Sequence, residues 1–103
     1  MDGYEKNRMK IFNREANYLI GEYRSDIERL TDEITDLEYE LERLENSPSL
    51  SYEEELYKNE VYRQLHDKRR RIMILQERIV KLGHRTNVNE AKLAEDELNM
   101  GRR

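Results

Sequence analysis

Cysteine and tryptophan are absent from this chain, proline and phenylalanine occur once each, and glycine occurs four times. Without cysteine there is no disulfide scaffold, no thiolate metal site and no cysteine nucleophile. The scarcity of proline and glycine leaves few chain breakers. With 41% charged and 36% apolar residues, that composition fits long helices and excludes a thick globular core. No apolar run approaches the ~18 residues that span a bilayer, so no membrane partner is expected. The first ten residues, MDGYEKNRMK, lack the apolar stretch of a secretion signal, and a cytoplasmic location is the expectation. A length of 103 residues leaves room for one domain at most.

What is present is heptad order. Ile27, Leu30, Ile34, Leu37, Leu41 and Leu44 follow one another in steps of 3, 4, 3, 4 and 3. Val61, Leu65, Lys68, Ile72, Leu75, Ile79 and Leu82 continue the same alternation with one polar interruption, Lys68. Each run predicts a long helix that buries a narrow stripe against a partner helix.

The breakers place the ends. Asp2 with Glu5 three residues on starts a helix over about 3–46, with a kink near Gly21 to Ser25 as an alternative. Asn46-Ser47-Pro48-Ser49 ends it, leaving a loop over 47–50. Ser51 with Glu54 forms a capping box for a second helix over about 51–82, which Lys81 and Gly83 terminate. A turn at His84 to Thr86 then leads into a short third helix over about 88–100.

Charge pairs the two long helices with each other. Residues 26–60 hold 13 acids and 3 bases, and residues 61–85 hold 8 bases and 2 acids. Flanking its apolar stripe, the first helix carries Asp26, Thr31, Glu33, Glu38, Glu40 and Glu45. The second carries Gln64, Arg69, Arg71, Gln76 and Arg78. Like pairs with unlike, so an antiparallel hairpin is predicted. The stripes match when paired residue numbers sum to 102 or to 95. The sum of 102 brings Glu33 near Arg71 and Asp26 near Arg78. The sum of 95 sets Arg24 beside Arg69, so 102 is preferred. In that register Lys68 faces Ile34 and its stem reaches out toward Glu33 or Glu38. Apolar residues left outside the stripes, Met9, Phe12, Leu19, Met73 and Ile74, predict a homodimer that forms a helical bundle.

Chemistry-bearing patterns are few. His66 and His84 are the only imidazoles, and neither has a second histidine three or four residues on. Arg63 and Lys81 stand three residues before them, where di-iron bundles carry glutamate, so no metal site and no cofactor are expected. There is no glycine-rich phosphate loop and no Ser–His–Asp arrangement. Lys68, Arg69, Arg70 and Arg71 form a basic patch for nucleic acid or an acidic partner, or else pair with the acids of the first helix. Tyr52, Glu53, Glu54, Glu55 and Tyr57, near the hairpin tip, join carboxylates to aromatic anchors. They form a candidate partner-binding surface, with packing of the tip as the plain alternative.

Residues Ile27-Glu28-Arg29-Leu30-Thr31-Asp32-Glu33-Ile34-Thr35-Asp36-Leu37 loosely resemble the first helix of the all-helical chorismate mutases. That resemblance implies a helical enzyme holding two substrate carboxylates with Arg and Lys directed into its bundle. The sequence departs from the family pattern at Thr31, where the family has Arg.

The expected protein is therefore all-α, an antiparallel coiled-coil hairpin with a short C-terminal helix, assembling into a dimeric bundle. The expected function is non-enzymatic: an adaptor, assembly factor or small regulator that binds another protein. The alternative is an inhibitor or nucleic-acid-associated factor, of the kind phages and mobile elements encode. It would work through an acidic mimic surface or the basic stretch 68–85.

Overall fold

Asp2 opens the first helix as its place in the sequence demands. Its Oδ1 accepts the Glu5 N–H at 2.7 Å, satisfying one of the donors that a helix start leaves unpaired. The computed structural model describes residues 1–101 and is all-α. Helix α1 spans Gly3–Glu45 and helix α2 spans Tyr52–Gly101, joined as a helical hairpin. The connection is tied locally: Ser47 Oγ donates to the Ser49 carbonyl at 3.0 Å. Ser51 and Glu54 then close the expected capping box, with Glu54 N–H on Ser51 Oγ at 3.1 Å and Ser51 N–H on Glu54 Oε1 at 3.2 Å.

One expectation is corrected here. Helix α1 runs unbroken through Gly21 to Ser25, and α2 does not stop at Leu82. The segment expected as a separate third helix over 88–100 is the continuation of α2. Gly83 does not act as a terminating residue, because no glycine in the chain has the positive φ of a helix-ending cap. The reason lies in polar residues at heptad positions. From Leu75 the stripe continues through Ile79 and Leu82 to Thr86, Asn89, Leu93 and Asp96, in unbroken steps of 4 and 3. All of these are buried or half-buried.

The chain divides into two compact units, Ser25–Leu75 and Met1–Arg24 with Gln76–Arg103. In the first, Ile34, Val61 and Leu65 form a buried cluster, with Leu37, Leu41 and Ile72 packed on it. Burying a side chain of this size stabilises by roughly 1.5–3 kcal/mol. Lys68 Nζ meets Glu33 at 2.8 Å and Arg69 meets Glu38 at 3.0 Å. The Tyr62 hydroxyl donates to Glu45. The Glu33–Lys68 contact lies one residue from the preferred register of 102, and the Lys68 stem leaves the stripe toward Glu33 as expected. Glu33 thus takes Lys68, not Arg71. Asp26 takes Arg29 of its own helix, at 3.8 Å.

In the second unit the same register carries polar partners. Asn89 Nδ2 donates to Asn13 Oδ1 at 3.1 Å, and Lys6 Nζ lies 3.2 Å from Asp96, both pairs summing to 102. Ala16 and Thr86, also summing to 102, are both buried. The Thr86 hydroxyl is satisfied within α2, donating to the Gly83 carbonyl at 2.9 Å.

The uninterrupted helices make a direct prediction. A methyl group added at Gly21 or Gly83 meets nothing within 4 Å. Gly21→Ala and Gly83→Ala should each raise unfolding free energy by about 0.5–1 kcal/mol, the helix-interior penalty of glycine. Urea denaturation measures this. A loss at Gly83 would mean that the residue caps a helix end after all.

Candidate functional site

The first two turns of α2 leave aromatic and acidic side chains together in solvent. Tyr52 is 78% exposed, Leu56 51% and Tyr57 45%. Tyr52 and Leu56 are four residues apart and so stand on one face of the helix. Glu53 and Glu55 flank that ridge on either side. Neither enters any ion pair among the described residues. Glu54 is different: its carboxylate is spent on the capping box. Of the five residues singled out here from sequence, four therefore present free side chains and one is structural. Leu56 was missed. The available signal was its position off the heptad stripe, beside Tyr52 by one helical turn.

The bias toward tyrosine has a structural expression. Six of the seven tyrosines are exposed. Tyr23, the exception, is half-buried under the guanidinium of Arg78, 5.8 Å from its ring centre.

The basic stretch is not brought together as a patch. Lys68 and Arg69 are occupied by Glu33 and Glu38 of α1. Arg70 and Arg71 are exposed without an ion pair among the described residues. Of the residues proposed for a dimer contact, Met9 and Phe12 line one groove with Val88. Leu19 and Met73 are exposed and Ile74 is half-buried. Thr31, where the mutase pattern has arginine, is exposed and donates its hydroxyl to the Ile27 carbonyl of its own helix at 2.8 Å.

Among the described residues no three His, Asp or Glu side chains gather to hold a metal ion. Among the described residues no helix is long and apolar enough to cross a membrane.

Charge pairing leaves its mark on titration. The Lys68 hydrogen bond holds the Glu33 carboxyl below its ordinary range. Arg63, with Gln64, pulls Glu60 down to about 2. Lys6, with the amine of Met1, lowers Asp96. A carboxylate lowered in the folded state stabilises above its unfolded value, and that contribution disappears as pH falls through the folded value. The Asp96→Asn variant should therefore melt below the wild type at neutral pH. The gap should persist down to the ordinary aspartate value of 3.8 and close below it, as wild-type Asp96 protonates. Melting temperatures of both proteins across an acid series test this, and a gap independent of pH would refute it.

No protein-family model matches the chain, and neither a curated protein nor a solved structure is significantly similar to it.

Proposed function

We propose that the protein is a non-enzymatic interaction module, an adaptor, assembly factor or small regulator, which binds another protein through the first two turns of α2. The observation that carries this reading is the exposed ridge of Tyr52 and Leu56, with Glu53 and Glu55 unpaired at its flanks and Tyr57 exposed one turn from Glu53 on that flank. Large amphipathic side chains lose little entropy when they dock and bury much area, and they supply affinity at protein interfaces. Charged flanks speed encounter and select orientation. None of the ridge residues takes part in the Glu33–Lys68 and Glu38–Arg69 ion pairs that join α1 to α2 within the unit of Ser25–Leu75, so a partner can occupy the ridge without breaking them.

The test begins with affinity capture from the source cell and identification of the captured protein, which is then purified and titrated. Tyr52→Ala, Glu53→Gln, Glu55→Gln and Tyr57→Ala together, with Glu54 kept for its cap, should leave helicity unchanged. Affinity for the purified partner should fall at least ~30-fold, as expected for loss of two anchors. If affinity survives and is lost when Arg70 and Arg71 are neutralised, the basic stretch is the site and the tip is scaffold.

A further inference from the structure

We infer that one partner of the α2 ridge is a second copy of this chain, which receives it in a basic-rimmed groove formed by the N-terminal part of α1 and the C-terminal part of α2. The inference rests on the reading of the ridge as a docking surface and names an occupant for it.

The groove has a volume of about 400 Å³ and lies wholly within the unit of Met1–Arg24 and Gln76–Arg103. Met9, Phe12 and Val88 supply its apolar lining, with Asn89 beside them. Arg8 stands on its α1 side, and Arg85 and Lys92 on its α2 side. Glu5 is the single acid along it. The two arginines have no carboxylate partner among the described residues. Arg85 lies over the Phe12 ring at 4.6 Å and Arg8 over the Tyr4 ring at 5.7 Å. Lys92 makes no ion pair there either. A cation resting on an aromatic face keeps its charge available to an incoming anion.

The ridge is the converse. Its crest is Tyr52 and Leu56, and carboxylates stand on both sides of it. An apolar ridge flanked by acids matches an apolar groove flanked by bases, the pattern by which an amphipathic helix lies in a groove. The charge of the units agrees. Residues 25–75 carry 14 acids and 8 bases, a net of −6, whereas the other described residues carry 9 acids and 9 bases, a net of zero. Contact between the acidic units of two copies is repulsive, and contact of an acidic unit with the neutral one avoids that repulsion, leaving the bases along the groove to attract the acids of the ridge. The association is therefore heterologous: the ridge of one copy meets the groove of the next. It differs from a symmetric dimer closed by apolar side chains alone.

Sedimentation of three proteins tests this. The tip variant carries Tyr52→Ala, Glu53→Gln, Glu55→Gln and Leu56→Ala. The groove variant carries Arg8→Glu, Arg85→Glu and Lys92→Glu. Circular dichroism first establishes that both are as helical as the wild type. At low salt the wild type should form species heavier than its 12.6 kDa monomer, and raising salt from about 50 to about 500 mM should weaken this at least tenfold. Each variant alone should remain a monomer. An equimolar mixture should form a heterodimer and stop there, because the pair retains one intact ridge and one intact groove. A monomeric wild type, assembly that survives in either variant, or a mixture that stays monomeric would each overturn the inference. The ridge as a docking surface for other proteins is judged separately, by the titration of the captured partner. A monomeric wild type whose ridge is still needed for that titration removes the second copy and leaves the ridge.

Discussion

Replacing Leu65 by alanine should cost about 2–4 kcal/mol of unfolding free energy, the range for a buried leucine whose surroundings relax only in part. Leu65 is 2% exposed and belongs to the cluster with Ile34 and Val61, on which Leu37, Leu41 and Ile72 pack. A pair of helices has no second layer of core to move into the space. For a domain stable by some 5–15 kcal/mol, the loss is a large part of the whole. Met73→Ala is the control. That side chain is 69% exposed, and its truncation should change stability by less than ~0.5 kcal/mol. Urea titrations followed by circular dichroism compare the two. Equal effects would mean that the Leu65 cluster does not hold the helices together.

The second large effect concerns Asn13 and Asn89. Asn13 is only 9% exposed and its carbonyl oxygen accepts from Asn89. Asn89→Leu strips that partner from a buried amide and should cost about 1–3 kcal/mol. Adding Asn13→Leu removes the stranded group as well and restores an apolar layer. The double variant should therefore match or exceed the wild type in melting temperature. The coupling between the two sites is read from the complete cycle of four proteins. The gain should carry a loss of specificity, since a polar pair at one layer penalises every other register and a leucine pair does not. Additive effects of the two substitutions would show that the hydrogen bond contributes nothing.

The exposed ridge and the groove were unequally legible. Tyr52, Glu53, Glu55 and Tyr57 stand out in the sequence because aromatics and acids crowd one short stretch. The groove does not stand out, because Arg8 and Arg85 come from opposite ends of the chain and only folding makes them neighbours. The basic stretch was legible in part. Spacing alone directs Lys68 and Arg69 toward the acids of α1, and they meet Glu33 and Glu38, but Arg71 flanks the stripe as Arg69 does and forms no ion pair among the described residues.

The sequence by itself determined the two helices, their connection at Asn46 to Ser51, and their antiparallel register. Apolar heptad stripes, interrupted only at Lys68, restrict the pairing to two registers and the flanking charges prefer one of them, and local capping groups mark where each helix starts. Only the tertiary structure decided that α2 continues past Gly83 and that the stripe runs on through Thr86, Asn89 and Asp96. The physical reason is that apolar periodicity reports burial by transfer from water, a property each side chain carries alone. A polar residue is buried favourably only when its partner is present. The partners of Asn89 and Asp96 are Asn13 and Lys6, at the other end of the chain.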